Sequence, residues 1–204
     1  MSSETRNKMV LGAADLLSRR GMHATSLREV VRHTDTPRGS ISYHFPGGKA
    51  QLVTEAVKLA QQEVSVAIDE ILRLHGAVAG VRRVFSMRAK LLEESNYEAG
   101  CPVLVVAVER YTDDARQVAE GDVQQQLLGV AHEAFADWQG IFVAALEREG
   151  VTSARAQRLA ALTLSALEGS VALCRAALNL QAINDVAVEM EELVRTAIAE
   201  AQPV

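Results

Sequence analysis

Cysteine is almost missing from this chain: Cys101 and Cys174 are the only two in 204 residues. Two cannot make a disulfide framework, and reduced, buried thiols are the simpler reading. Proline is nearly as scarce, at four, and aromatic residues make up 4%, with Trp138 the single tryptophan. Low proline with 49% hydrophobic residues excludes a disordered or low-complexity chain. Long apolar runs are lacking too. The longest uncharged one, Cys101 to Val108, is far too short to span a bilayer and contains Pro102. No charged-then-apolar segment opens the chain, so a cytoplasmic location without a membrane partner is expected.

The absences extend to the motifs of chemistry. There is no Gly-rich phosphate loop, no Cys-x-x-Cys and no His-Glu-x-x-His. None of His23, His33, His44, His75 and His132 has a glutamate three residues before it, so a di-iron carboxylate bundle lacks its motif. His132 and Glu133 are adjacent and fall on different helix faces. No catalytic site, metal or cofactor is expected, and an enzyme is the weaker alternative.

What is there is helix after helix, with no alternating strand pattern and no internal repeat. One stretch stands apart, Thr25 to Lys49, TSLREVVRHTDTPRGSISYHFPGGK. Ser26 suits an N-cap, and Glu29 three residues on completes a capping box. Leu27, Val30 and Val31 give one apolar face, and Thr34-Asp35-Thr36 breaks the helix. Thr36 can cap a second helix with Pro37 at its first position, where a missing N–H costs nothing. That helix, reaching about His44, turns Ile41 and Phe45 inward and leaves Arg38, Ser40, Ser42, Tyr43 and His44 to point elsewhere. A short helix rich in hydrogen-bonding residues suits a reader of the DNA major groove. A helical hairpin that reads nothing would show the same pattern, so charge matters. Residues 1–50 hold eight Lys and Arg against four Asp and Glu, a net of +4 in a chain of formal charge −5. An acidic protein with its basic excess around this motif has a localised phosphate-facing patch.

These residues resemble a family. Met9-Val10, Gly12-Ala13, Leu16-Leu17 and Gly21, then Thr25-Ser26-Leu27 and PRGSISYHFPGGK, look like the DNA-binding domain of TetR-family regulators over about residues 5–55. The Pro-Arg-Gly-Ser-Ile run and the Phe-Pro-Gly-Gly-Lys hinge are most similar to the LmrA-like, lincomycin-resistance repressor branch, and Gly100-Cys101-Pro102-Val103 matches it more loosely. One departure is plain. The family usually places a phosphate-contacting tyrosine where this chain has Ser42, and a histidine where it has Tyr43. The resemblance implies a helix-turn-helix domain over 1–48 that contacts DNA through Thr25, Ser26, Arg38, Ser40, Ser42, Tyr43, His44 and Lys49, with Lys49 holding phosphate at the hinge.

Residues 49–204 then read as an effector-binding and dimerisation domain. A helix runs from about Gly48 to Leu74, broken by Gly76 to Gly80. The next, about Val81 to Glu94, stripes Val81, Val84, Phe85, Leu91 and Leu92. Asn96 to Pro102 is a loop, and a short helix reaches about Tyr111. From Val123 to Arg148 apolar residues recur at helical spacing. Between Leu159 and Leu180 nearly every face is apolar, which demands burial on all sides and hence a second subunit. The last helix stripes Ile183, Val186, Ala187, Met190, Leu193, Val194, Ala197 and Ile198, suited to a four-helix dimer interface.

Polar residues stranded in apolar stripes mark where a ligand would bind. Arg88 lies in the core-facing stripe of its helix, and Glu168 and Arg175 interrupt the penultimate one. Internal or cross-subunit ion pairs explain them equally well. Family members house an effector between the helices that here carry Phe85, Cys101 and Trp138, so Phe85, Arg88, Cys101, Trp138, Phe142 and Glu168 are the candidate ligand residues. The fold class expected is all-α: a three-helix head plus a C-terminal helical bundle. The function expected is a homodimeric transcriptional repressor, released from a palindromic double-stranded DNA operator by a small hydrophobic or aromatic effector. The alternatives are a helical small-molecule-binding protein or enzyme without a DNA role, and a ligand-independent DNA-binding protein.

Overall fold

In a computed structural model of the protein, which describes residues 2–112 and 120–201, the described residues form eight helices and no strand. They are α1 (Ser2–Arg20), α2 (Leu27–Thr34), α3 (Arg38–His44), α4 (Gly48–Glu94), α5 (Pro102–Val108), α6 (Glu120–Arg148), α7 (Ser153–Ala177) and α8 (Gln181–Ala201). The chain divides into two compact units. The first comprises residues 1–62 and 100–135, the second 63–99 and 136–204, with α4 and α6 each running through both.

In the first unit Met9, Ala13, Leu16 and Leu17 bury one stripe of α1, and Val30, Val31, Ile41 and Phe45 are buried on α2 and at α3. Each of these side chains larger than Ala13 contributes about 1.5–3 kcal/mol when removed from water. Ser26 caps α2 by accepting the Glu29 N–H at 3.2 Å. Asp35 ends α2 in the left-handed conformation at φ 49°, which tips the chain into the turn. The second helix starts differently from the expectation. Its N-cap is Pro37 without a side-chain bond, and the Thr36 hydroxyl pairs with Thr34 at 2.9 Å. Phe45 closes α3 under the Arg6 guanidinium, 5.3 Å above the ring, while Arg6 is held by Glu55 at 2.6 Å.

In the second unit Ile68, Leu72, Val84, Phe85, Trp138, Phe142, Leu146, Val171 and Met190 are among the buried residues. The helix break expected over Gly76 to Gly80 is a single residue. Gly76 alone leaves the helical region, at φ 73°, and α4 resumes at Ala77. Glu149 explains why so short a break suffices, because its carboxylate accepts the Ala77 N–H and caps the restarted helix. Helices α7 and α8 pack along each other after a tight turn, in which the Asn179 side chain accepts the Gln181 N–H at 2.9 Å. Arg82 bonds Glu191, tying α4 to α8, and Arg195 of α8 itself bonds the same carboxylate.

The stripe expected on α8 is largely covered within one protomer, with Val186 and Leu193 half-buried. Ile183, Ala187, Met190, Val194, Ala197 and Ile198 are buried within the chain itself, so that face is already covered in a single protomer. The uncovered apolar surface lies on α7, where Leu162, Ser165, Gly169, Ala172, Leu173 and Ala176 follow one another at helical spacing and are exposed. By length and composition α7 could cross a membrane, yet less than half of its most apolar stretch is buried.

Candidate nucleic-acid interface

Helix α3 has only seven residues, too few to be stable alone, and it is held by the inward pair Ile41 and Phe45. Its other side is open. Arg38, Gly39, Ser42 and Tyr43 are exposed, and nothing lies within 4 Å of where a side chain at Gly39 would begin. Tyr43, 78% exposed, meets His44 edge-on with ring centroids 5.2 Å apart. Ser40 and His44 are half-buried, and the Ser40 hydroxyl donates to the Pro37 carbonyl at 2.6 Å. One cation, Arg38, and two exposed hydrogen-bonding side chains, Ser42 and Tyr43, thus line an open helical face, in a head that also exposes Arg28 and Arg32 of α2. Arg32 bonds Glu29 at 2.5 Å, and that hydrogen bond, with the charge of Arg32 and then of Arg20 and Arg28, holds the Glu29 carboxyl below its usual value.

Three residues expected to face DNA are placed otherwise. Thr25 is fully buried and its hydroxyl donates to the Gly21 carbonyl at 2.8 Å. The Ser26 oxygen is taken up as the α2 cap. Lys49 is the larger correction. It is 6% exposed, its ammonium donates to the Thr112 carbonyl at 2.9 Å, and it lies 5.5 Å from the centre of the Tyr111 ring. Satisfied by a carbonyl and an aromatic face, it is turned inward from the surface a phosphate would approach.

The Lys49 contact belongs to an arrangement that sequence reasoning missed. The segment from Gly100 to Thr112 is fastened to the head at several points. The Gly100 N–H donates to Ser18 at 2.7 Å, the Glu109 carboxylate accepts the Met22 N–H at 2.7 Å, and Thr112 meets His23 at 3.3 Å as well as Lys49. Gly21 makes the Glu109 contact possible. It sits at φ 81°, and a Cβ there would come 2.5 Å from Glu109 Oε1. Gln124 secures the segment from the other side by accepting the Tyr111 N–H at 2.5 Å. The partners in the head are 63 to 89 residues away along the chain, so no local pattern announces them.

The candidate ligand residues fall in different places. Phe85, Trp138 and Phe142 are buried in the second unit, with Arg88 and Glu168 half-buried there. Cys101 belongs to the first unit, where its sulfur caps α5 by accepting the Leu104 N–H at 3.4 Å. Among the described residues, no three His, Cys, Asp or Glu side chains gather as a metal site would need.

A short helix docked on a partner helix, with an open polar face and a basic surround, defines a helix-turn-helix DNA-binding regulator. Comparison with known proteins gives the family. Residues 10–56 match the family described as bacterial regulatory proteins, tetR family, and residues 77–189 match the LmrA/YxaF-like transcriptional regulator C-terminal domain. An HTH-type transcriptional regulator of Mycobacterium tuberculosis is 30% identical over 195 residues, covering 96% of each chain. The HTH-type transcriptional regulator LmrA of Bacillus subtilis is 24% identical over 180 residues, covering 86% of this chain and 89% of the relative. In fold, a TetR transcriptional regulator from Legionella pneumophila has a TM-score of 0.77 at 18% identity, covering 91% of this chain and 95% of its own. A TetR-family regulator from Agrobacterium tumefaciens gives 0.78 at 18% identity, covering 95% and 98%. The chain belongs to the TetR family of transcriptional regulators, with an LmrA/YxaF-like C-terminal domain, and is therefore a regulator rather than an enzyme.

Proposed function

We propose that the protein is a homodimeric repressor that releases a palindromic operator when a small hydrophobic or aromatic effector binds. The observation that carries the DNA reading is the open face of α3, where Arg38, Ser42 and Tyr43 are exposed while Ile41 is buried. Arg38 contacts a base edge or an adjacent phosphate. Tyr43, not Ser42, has the reach to take over the phosphate contact that a tyrosine one position earlier makes in the family. Ser40 and His44, half-buried, define the edge of that face.

Two heads are needed to read two half-sites, and the exposed stripe of α7 supports dimerisation. It combines Leu162 and Leu173, 47% and 60% exposed, with small residues between them that let another helix approach closely. A charge-free face of this kind fits a second copy of the same helix better than water. The effector site is in the second unit, around Phe85, Trp138 and Phe142. Helix α4, helical without a break from Lys49 to His75, starts at the head and continues into that unit, and it is the lever. Effector binding shifts the population towards a state whose heads no longer match successive major grooves.

The test begins with operator selection from random DNA by the full-length protein. A palindromic consensus, bound by two protomers and lost on Arg38→Ala, supports the reading. Enrichment of no sequence, or full affinity in the variant, overturns it.

A further inference from the structure

We propose that the effector carries a carboxylate and that Arg88 recognises it. The inference rests on the reading above that the second unit binds an effector, and it names the chemistry of that ligand: an apolar or aromatic monocarboxylic acid.

Six other arginines of this chain have an acceptor within it. Arg6, Arg19, Arg32, Arg82 and Arg195 each reach a carboxylate, and Arg148 donates to the Ala144 carbonyl. Arg88 differs. Its Nη2 is closed off from solvent and finds no acceptor among the described residues. The surroundings on α4 explain why. The positions that neighbour it on the helix surface are Val84, Phe85, Leu91 and Leu92, none of which can accept a hydrogen bond. Val84, Phe85, Ala89 and Leu92 are all buried. A guanidinium nitrogen therefore lies within an apolar stripe of the unit that also buries Trp138 and Phe142.

Hiding a charged donor without an acceptor is costly, so such a group is kept where an acceptor arrives from outside the chain. A planar guanidinium presents parallel N–H groups that match the two oxygens of a carboxylate. One cation within an apolar stripe suits a monoanion with an apolar body. A phosphate dianion would call for a second positive charge, and the nearby Arg82 and Arg83 are exposed, with Arg82 already on Glu191.

The experiment uses the full-length protein and a matched probe pair, 1-naphthoate against neutral 1-naphthamide, with n-alkanoates from hexanoate to dodecanoate alongside. Calorimetry, with Trp138 emission as a second readout, should show the acid binding about tenfold or more tighter than the amide, as a charge-assisted hydrogen bond predicts. Arg88→Gln should abolish the preference, and Arg88→Lys should restore part of it. Equal affinity for acid and amide, or a preference that survives Arg88→Gln, overturns the inference while leaving an apolar effector site standing. Binding by no member of either series overturns both the inference and that effector site. A ligand-free measurement gives an independent check. Arg88→Met removes an unsatisfied donor and should raise the melting temperature by about 2–4 °C. A fall of that size would show an internal partner for Arg88 and overturn the proposal.

Discussion

Helices α3 and α7 both leave one side uncovered, and the two sides could hardly differ more. The open side of α3 carries Arg38, Ser42 and Tyr43, groups that water already solvates well. The open side of α7 carries Leu162 and Leu173 with Ser165, Gly169, Ala172 and Ala176, which gain by leaving water. The first can stand exposed until a polar partner arrives, and DNA with its phosphates and base edges is such a partner. The second is costly to leave exposed, which favours an apolar partner that stays in place. On the proposed reading, a transient, salt-sensitive contact and a permanent, salt-insensitive one would be built from the same kind of element.

The largest test of that contrast is Leu173→Glu. A charge placed in an α7 interface should weaken self-association by on the order of 3–4 kcal/mol, or about 100- to 1000-fold. Sedimentation should then find monomer where the parent is dimer, with operator affinity lost alongside. A variant that remains dimeric would break the comparison and return the α7 face to another partner.

Next in size is Gly21→Ala. The left-handed backbone at Gly21 and the close Glu109 carboxylate should together make the substitution cost about 1–3 kcal/mol, read by thermal melting. Operator binding per folded molecule should fall as well, because the turn that Glu109 holds sets the end of α1. Glu109→Gln keeps an acceptor and should cost less than Gly21→Ala.

Arg38 and Lys49 sharpen the comparison at similar magnitude but in different observables. Arg38→Ala should lose about 1–3 kcal/mol of discrimination between operator and mismatched DNA if its contact is bidentate to a base. Lys49→Met should leave the salt dependence of DNA binding unchanged and lower the melting temperature instead, since its ammonium serves Thr112. A reduced salt slope in the Lys49 variant would mean that the side chain swings outward on DNA.

The smallest effect belongs to Glu29. Its pKa is lowered in the folded state, so its ion pair adds stability above the ordinary carboxylate value of 4.5, and that stability is lost as pH falls through the lowered pKa. The pair is exposed, so the contribution is slight. Glu29→Gln should melt marginally below the parent at pH 7, and the gap should close as pH falls through the lowered Glu29 pKa.

Much of this molecule was legible in advance. The Ser26 cap, the break at Thr34-Asp35-Thr36 and the inward pair Ile41 and Phe45 all follow from spacing, and the helices of the second unit follow from their apolar stripes. Their ends moved by a few residues. The short helix expected to reach Tyr111 stops at Val108, and α4 resumes at Ala77 instead of Val81. In the reading head Arg38, Ser42 and Tyr43 are exposed, whereas Thr25, Ser26 and Lys49, three polar residues at equally plausible positions, are used internally. Nothing in the local sequence separates the two groups, because a lysine after Pro-Gly-Gly reads the same whether its ammonium turns out or in.

By itself the sequence determined the helices and the composition of their faces, because helical spacing, caps and breaks depend on residues within about four positions of one another. Only the tertiary structure decided how those faces were used. It brought the Thr112 carbonyl to Lys49, Glu109 to the turn at Gly21 and Glu149 to the break at Gly76, and it consumed the α8 stripe inside one protomer. It also left Arg88 Nη2 without an acceptor among the described residues, while Arg82 on the same helix reached Glu191. The reason is the reach of the interactions. A backbone hydrogen bond in a helix is answered four residues away, but a flexible charged side chain is answered by whatever segment packing carries past it.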